Sequence, residues 1–380
     1  MNEPAHFPLI GILGGGQLGR MSALAAIRMG IRVRTLSPSE AGPVADLGDA
    51  MVGDWTDPDV MRRFGQGCDA ITVESEWAPA ELAADVFGDS VPVRPGPSTL
   101  ETIRHKGRQK SRLRDAGIPV PEFDMPTSVP DAVDLMLEWD GRVVAKKFEG
   151  SYDGYGNATV STTDGMHAAW DDLAADDGLL VERFLPFRRE LAVMVVRSAS
   201  GEIRTYPVVE TEQKDHRCHA VIAPARIDAS TATEAAALAA RCAESVDAVG
   251  VLGVELFEMP DGELLVNELA PRPHNTGHYT IEACHTSQFE NHVRSVLDLP
   301  LGDPSMQVPS AVMINVLGRR AGGVRPDGFA DALDIPGAAV HLYGKREARP
   351  KRKMGHVTVT GEDPDELRSR AERAADLIRL

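Results

Sequence analysis

Two short apolar segments, joined by a glycine-rich turn and a helix, constrain the fold more than any other feature of this chain. Residues 9–13 predict a buried strand, residues 14–19 supply four glycines, and a helix is expected to run to about Met29. Residues 31–36 predict the second strand. Because such a unit closes by a right-handed crossover, it predicts an open parallel sheet with a ligand site at the carboxyl ends of its strands.

The glycine-rich turn matches G-x-G-x-x-G at residues 14–19, the spacing of dinucleotide-binding loops. A NAD site also needs an acidic residue at the tip of the second strand, where this chain has Leu-Ser-Pro at 36–38. A nicotinamide-dependent dehydrogenase is therefore disfavoured. We interpret the turn as a phosphate-binding loop for another anion, because backbone N–H groups gather at the start of the helix. Glu74, at the end of a third predicted strand, is interpreted as an ordinary strand-end acid.

The composition indicates a globular protein. Its 380 residues predict two or three domains, and 57 acidic against 40 basic residues give a formal charge of -17, which argues against nucleic-acid binding. The four cysteines form no CxxC pair, residues 1–16 lack a secretory signal, and no apolar run reaches the roughly 18 residues of a membrane span. We expect a reduced, soluble, cytoplasmic protein that binds anions through local basic clusters.

Changes of pattern along the chain predict three domains. Residues 1–105 predict an open α/β domain, and residues 106–300 a central domain of strands and helices. Within the central domain, a Thr-x-x-Glu signal at Thr231 and Glu234 predicts the start of an alanine-rich helix. Residues 301–380 alternate short strands with Gly- and Pro-rich turns, which predicts a small β-rich domain with a terminal helix.

A lysine-bearing strand followed by a glycine-rich loop indicates a nucleotide site. Residues 142–147 predict a strand that carries Lys146 and Lys147, and this strand leads into residues 149–157, which contain three glycines. A lysine neutralises phosphate charge, and a flexible loop can close over a nucleoside triphosphate and exclude water. The alternative is a plain hairpin with solvated lysines.

An apolar strand at 251–258, a Pro-Asp-Gly-Glu turn centred at 261–262 and a second strand predict a hairpin. This turn places Glu255 opposite Glu268, with Cβ atoms roughly 4.5 to 5.5 Å apart, so both carboxylates can hold the same divalent cation. Magnesium is the usual choice beside phosphates. Strand alternation puts Asn267 on the other face unless the strand is bulged. The alternative is a surface hairpin with two solvated acids.

The run NELAPRPHNTGHYT at 267–280 combines metal-binding, cationic and proton-transfer side chains, a mixture that no buried element needs. Arg272 offers the forked geometry that matches a planar oxyanion. His274 and His278 have a His-x-x-x-His spacing that invites a zinc interpretation, but Gly277 and two prolines disfavour a helix there. We expect nucleotide chemistry, with His274 orienting an oxyanion or moving a proton.

Four motifs together resemble those of the ATP-grasp ligases and, among them, the 5-(carboxyamino)imidazole ribonucleotide synthase family. They are GGGQLGRM at 14–21, YDGYG at 152–156, residues 267–283 with SQFE at 287–290, and YGK at 343–345 with RKMGHV at 352–357. The resemblance implies an ATP-grasp fold, α/β overall and α+β in the central domain. An N-terminal pre-ATP-grasp, Rossmann-like domain, a lid subdomain at about 119–185 and a small C-terminal domain would complete it.

The resemblance also implies roles for individual residues and a homodimer. The family usually has Lys or Arg where Tyr155 stands, so one positive contact is expected to be absent or supplied by Lys147. Asp153, Arg272 and His274 would act in catalysis. ATP would contact Lys106, Lys146, Gly150, Ser151, Tyr152, Asp153, Gly154, Tyr155, Gly156, Asn157, Glu182, Arg183, Phe184, Leu185, Glu190, Gln213, Asn267 and Glu268. Magnesium would bind Glu255 and Glu268. Bicarbonate and the ribonucleotide would contact Gln17, Glu76, Tyr152, Asp153, Arg272, His274, Lys345 and Arg352.

The activity that this resemblance implies is the ATP- and bicarbonate-dependent carboxylation of 5-aminoimidazole ribonucleotide in purine biosynthesis, with release of ADP and phosphate. Bicarbonate expels hydroxide poorly, so ATP would first convert it to carboxyphosphate, a step that needs charge neutralisation and alignment. Three alternatives remain at this point. They are another ATP-grasp ligase, such as a formate-dependent glycinamide ribonucleotide transformylase or a biotin carboxylase, a nicotinamide-dependent dehydrogenase, and a non-catalytic nucleotide-binding regulator.

Overall fold

The N-terminal part of the chain forms an open parallel sheet, as the strand–helix–strand pattern predicts. The computed structural model describes residues 7–38, 42–150, 155–175, 177–214 and 217–380. The first sheet has the order β3-β2-β1-β4, and all its pairings are parallel. Its elements are β1 (Leu9–Leu13), α1 (Gln17–Arg28), β2 (Arg32–Ser37), β3 (Asp49–Val52), α2 (Pro58–Gly65), β4 (Ala70–Val73), α3 (Ala80–Phe87) and α4 (Pro97–Arg104).

A separate four-stranded antiparallel sheet, with the order β5-β8-β6-β7, follows the first domain. Its buried core includes Trp139, Met166 and Leu179, contributed by the flanking helices and the segment before the last strand. Its position in the chain corresponds to the predicted lid. The elements are α5 (Lys106–Asp115), β5 (Phe123–Asp124), α6 (Val129–Glu138), β6 (Val143–Lys146), β7 (Asn157–Val160), α7 (Thr163–Asp172) and β8 (Leu180–Arg183).

Nine of the remaining strands form one sheet, and the other two, β16 (Gly322–Gly323) and β18 (Glu347–Ala348), pair with each other. The order of the nine-stranded sheet is β14-β13-β9-β11-β12-β15-β19-β17, and β10 pairs with β9. In chain order the elements are β9 (Arg189–Arg197), β10 (Ile203–Thr205), β11 (Val209–Lys214), β12 (Arg217–Ala223), α8 (Ala229–Ser245), β13 (Gly250–Glu258), β14 (Leu264–Ala270), α9 (Thr280–Ala283), α10 (Gln288–Val296), β15 (Ser310–Leu317), β16 (Gly322–Gly323), α11 (Phe329–Leu333), β17 (Ala338–Leu342), β18 (Glu347–Ala348), β19 (Lys353–Gly361) and α12 (Pro364–Leu377).

The nine-stranded sheet runs through the domain boundary predicted near residue 300. β12 and β15 are hydrogen-bonded neighbours, with Ala220 opposite Ile314 and Ala223 opposite Ala311. One apolar core, containing Ala220 and Ile314 among others, covers strands from both sides of that boundary. The three-domain division stays a prediction. In the part of the chain that the structure describes, no helix is long and apolar enough to cross a membrane.

The alanine-rich helix begins earlier than the sequence signal indicates. α8 starts at Ala229, because the carboxylate of Asp228 accepts a hydrogen bond from the Thr231 N–H at 2.8 Å. The prediction that Thr231 begins the helix was wrong. An aspartate three residues earlier supplies a strong acceptor for the first turn, so the helix extends back to it.

Candidate active site

The predicted acidic hairpin is present and carries a bulge. Glu255 of β13 lies opposite Glu268 of β14, and the register shifts by one residue between Glu255 and Leu256. Asn267 is therefore the extra residue of the bulge. The alternation that would separate Asn267 from Glu268 is interrupted, so the two neighbours can serve the same site.

Two lysines from different elements meet at this bulge. Lys106, at the start of α5, forms an ion pair with Glu268, and Lys146 Nζ donates to Asn267 Oδ1 at 3.2 Å. Lys146 Nζ also lies 2.5 Å from a carboxylate oxygen of Glu182. Burial lowers the pKa of Lys146, but Glu182 outweighs it and leaves the pKa raised. Lys146 is thus a buried, charged group suited to phosphate.

The opposed carboxylates form a donor set that suits magnesium. Burial, together with repulsion from Glu268 and Glu190, raises the pKa of Glu255 to about 8. The two carboxylates are about one-third exposed and repel each other unless positive charge neutralises them. Magnesium prefers oxygen ligands and is typically held by one or two carboxylates beside phosphates. The residues present therefore fit this cation.

Two residues predicted to contact the nucleotide, Glu190 and Arg183, have different surroundings. The carboxylate of Glu190 interacts with the side chains of Gln213 and Thr211, while burial raises its pKa. Arg183, by contrast, forms an ion pair with Asp140 at 2.6 Å on the surface. Glu190 of β9 is thus held by side chains of β11, whereas Arg183 is engaged by a surface acid.

Arg272 is oriented by the first domain. Its Nε lies 3.0 Å from Glu76 Oε2. Burial disfavours both charges, but the ion pair prevails, so the pKa of Arg272 is raised and that of Glu76 is lowered. The two residues predicted to contact substrate thus contact each other, and a domain-to-domain ion pair holds the guanidinium.

His274 is fixed by its neighbours rather than by a metal geometry. Its Nδ1 lies 2.9 Å from Thr276 Oγ1, and its Nε2 lies 3.7 Å from Glu255. Gln288 exchanges two hydrogen bonds with the backbone of His274 and contacts Nδ1 of His278 at 3.0 Å. The two histidines of the zinc-like spacing therefore have different partners, which supports the expectation against zinc there.

Behind His274, Glu282, His341 and His356 present potential ligand atoms within 4.8 Å of one another. His341 Nε2 contacts Glu282 at 2.6 Å, and the His341 and His356 rings stack with 17° between their planes. Imidazole ligands bind through in-plane nitrogen lone pairs, and one ion cannot lie in two stacked ring planes. This cluster is better described as packed histidines with one ion pair.

The basic residues of the two C-terminal motifs, YGK at 343–345 and RKMGHV at 352–357, make contacts in separate places. Lys345 Nζ donates to the carbonyl of Lys353 at 2.6 Å, which holds it beside the buried ring of Tyr343. Arg352 instead donates to the Glu347 carbonyl on the surface. The charge of Lys353, a residue of the RKMGHV motif, acts on Glu255, so Lys353 belongs near the site.

The prediction of a phosphate-binding glycine loop was wrong. Glu74 accepts hydrogen bonds from the Gly16 and Leu18 N–H groups, the second at 3.1 Å. A methyl group on Gly16 would overlap this carboxylate, so glycine is required for the approach. The carboxylate of Glu74 thus takes the place at the start of α1 that was predicted for a phosphate. Gln17, the first residue of α1, lies beside this contact.

The glycine-rich loop at 149–157 is described only in part. Residues 151–154, which include the predicted Tyr152 and Asp153, lie outside the described residues. Tyr155 is exposed, and the Arg217 guanidinium lies 5.1 Å from the centre of its ring. A positive charge therefore stands beside Tyr155. Sequence reasoning missed Arg217, because it is distant in the chain.

Three protein-domain families match successive parts of this chain. The ATP-grasp domain family matches residues 111–289, the ribonucleotide synthetase preATP-grasp domain matches 8–104, and the phosphoribosylaminoimidazole carboxylase C-terminal domain matches 311–370. The fold is therefore that of an ATP-grasp enzyme.

Individual relatives narrow the class. The N5-carboxyaminoimidazole ribonucleotide synthase of Mycobacterium tuberculosis is 43% identical over 97% of this chain and 87% of its own length. The chloroplastic phosphoribosylaminoimidazole carboxylase of Vigna aconitifolia is 40% identical, and the match spans 65% of that longer protein. An Aspergillus clavatus N5-carboxyaminoimidazole synthase, solved with ADP and 5-aminoimidazole ribonucleotide, is 33% identical with a TM-score of 0.88 over 98% of both chains. The chain belongs to the N5-carboxyaminoimidazole ribonucleotide synthase family.

Proposed function

We propose that this chain uses ATP and bicarbonate to carboxylate the amine of 5-aminoimidazole ribonucleotide, and that the residues described above carry out this reaction. The observation that carries the proposal is the convergence of opposed Glu255 and Glu268 with Lys106 and Lys146 at one bulged hairpin. Such a site combines cation ligands with phosphate-binding charges. The identity of the substrate is inferred from the names of the relatives and from the ribonucleotide bound in one of them.

Lys106, Lys146 and Asn267 would bind and align the phosphates of ATP. Phosphoryl transfer needs neutralised charge and alignment more than covalent help, which suits buried ammonium groups. Glu255 and Glu268 would hold magnesium, which when bound neutralises charge on the transferred phosphoryl group. Glu190 and Gln213 would contact the nucleoside part.

Arg272 would bind bicarbonate in a forked geometry, with Glu76 fixing the guanidinium and His274 orienting the oxyanion. A bicarbonate oxygen attacks the terminal phosphorus of ATP, which releases ADP and forms carboxyphosphate. The amine nitrogen of the ribonucleotide then bonds to the carboxyl carbon as phosphate leaves, and the amine loses one proton. Asp153 is the candidate acceptor of that proton, and the lid would exclude water.

Lys345, beside the buried ring of Tyr343, would contact the phosphate of the ribonucleotide, and Arg352 would contact it from the surface. Gln17 and Tyr152 would complete the substrate contacts. A homodimer and a cytoplasmic location remain parts of the proposal that sedimentation and cell fractionation would test. The dehydrogenase alternative loses further support, because Glu74 fills the place where a dinucleotide phosphate would bind.

The decisive experiment measures ADP formation with ATP, bicarbonate and 5-aminoimidazole ribonucleotide, omitting one substrate at a time. ADP release should require the ribonucleotide and yield its carboxylated product. Arg272→Ala and His274→Ala should each lower kcat/KM by about 100-fold or more, since each removes a group aligned with the reacting oxyanion. Arg114→Ala, at an exposed site on α5, is the matched control. Formate-dependent turnover of glycinamide ribonucleotide would refute the proposal.

A further inference from the structure

The buried charges on α5 extend beyond the residues already given a role. Lys110, one turn after Lys106, has a side chain only 2% exposed. Its Nζ lies 2.8 Å from Glu182 Oε1 and donates to the Val266 carbonyl at 3.0 Å. A lysine is almost never buried unless it is paired, so this placement requires an explanation.

The contacts of Lys110 form a closed ring beside the proposed nucleotide site. Glu182 joins Lys110 through one carboxylate oxygen and Lys146 through the other. Lys146 contacts Asn267, and the preceding residue, Val266, accepts the hydrogen bond from Lys110. The two lysines that share Glu182 therefore connect α5 and the sheet of β5 to β8 with the acidic hairpin.

The charge balance of this ring gives Lys110 its significance. Glu182 carries one negative charge against two ammonium groups. Burial would raise the pKa of Glu182, but Lys110 and Lys146 outweigh it and lower the pKa to about 2. With both lysines charged, one positive charge remains in excess. If Lys110 were neutral, the carboxylate would offset the charge of Lys146, and the attraction for phosphate would fall.

We propose that Lys110 is a positioning residue for ATP, which neutralises and anchors Glu182 so that Lys146 keeps its place and an excess positive charge toward the phosphates. Lys110 acts through Glu182 and needs no contact with the nucleotide. This inference rests on the proposed role of Lys146. It goes beyond that role, because it assigns the affinity for ATP to a residue behind the site.

The primary test is Lys110→Met, which keeps the length of the side chain and removes the charge. KM for ATP should rise, and the affinity for ADP measured by calorimetry should fall, by about 10- to 100-fold, since one buried charge is lost. KM for the ribonucleotide should change less than about threefold, a split that a purely structural defect would not produce. Arg114→Met on the same helix is the control. Unchanged ADP affinity in folded Lys110→Met would overturn the proposal.

A second variant shows whether the effect passes through Glu182. In Lys110→Met with Glu182→Gln there is no carboxylate to offset Lys146, so ADP should bind at least about fivefold more tightly than to Lys110→Met alone. A double variant that binds no more tightly would overturn the proposal. If Lys110→Met alone does not fold, the double variant is compared with Glu182→Gln. Burial already lowers the pKa of Lys110 to about 8 in spite of Glu182, so without that carboxylate Lys110 loses its charge, and removing it should change ADP affinity less than about threefold. A tenfold loss in that comparison would also overturn it.

Lys146→Met separates this inference from the proposed function. If Lys146→Met keeps normal ATP-dependent turnover, the proposed role of Lys146 fails, and the role of Lys110 loses its basis. If Lys146→Met is impaired and Lys110→Met is not, only the inference about Lys110 fails.

Discussion

Acid should destabilise this protein in part through a buried imidazole that joins the first domain to the large sheet. His292 on α10 is 1% exposed; its Nδ1 accepts a hydrogen bond from the Val251 N–H at 3.1 Å, and its Nε2 lies 2.9 Å from Thr72 Oγ1. The acceptor role at Nδ1 requires a neutral ring, with the proton on Nε2. Burial accordingly lowers the pKa of His292 to about 4.

The size of the effect follows from that pKa. Against a reference pKa of 6.5 the difference is about 2.5 units, which corresponds to about 3 kcal/mol of folding free energy. Because the folded pKa is depressed, the unfolded chain takes up the proton first. The contribution is complete above about pH 6.5 and is lost as the pH falls toward 4.

Urea unfolding at several pH values between 7.5 and 4 measures this contribution by difference. His292→Asn keeps an acceptor near the position of Nδ1 and removes the titrating group. Between pH 7.5 and 4 the free energy of unfolding of this variant should therefore fall by up to about 3 kcal/mol less than that of the wild type. His167→Asn, at an exposed position on α7, is the control and should keep the steep slope. Equal slopes in the wild type and His292→Asn would refute the reasoning.

Two further predictions concern the contacts between the first domain and the site. Gly16→Ala should displace Glu74 and lower the free energy of unfolding by about 2 to 4 kcal/mol in urea, because charged hydrogen bonds are lost. Gly96→Ala, also at a helix N-cap but with open space around it, should lower it by less than about 1 kcal/mol. Glu76→Gln should raise KM for bicarbonate about tenfold and change KM for ATP less, because Arg272 loses its direct ion-pair partner whereas Lys106 loses only a longer-range attraction. Equal changes in both constants would contradict this role.

Local patterns predicted the elements whose causes are local. The Asp-Gly turn set the register that puts Glu255 opposite Glu268, since hairpin pairing follows from the turn. The bulge at Asn267 could not be located from alternation, because a bulge is the point at which alternation is interrupted. The start of α8 was misjudged because two capping residues compete, and Asp228 prevails over Thr231.

The contacts that sequence reasoning missed join residues far apart in the chain. Glu74 fills the glycine-rich turn 58 residues before it, and nothing in the local sequence distinguishes this glutamate from an ordinary strand-end acid. Lys110 likewise resembles any solvated lysine on a basic helix until Glu182 and Val266 are brought to it. Such pairings are set by tertiary packing, so they require coordinates.

The pairing of β12 with β15 limits how this enzyme can be divided. A fragment ending near residue 300 would expose the whole hydrogen-bonding edge of β12, together with Ala220 and Ile222, whose apolar cover comes from the missing strands and α12. Unpaired apolar edges recruit strands from other molecules, so such a truncation would tend to aggregate during expression. Engineers who wish to move this catalytic unit into a fusion should carry the last eighty residues with it.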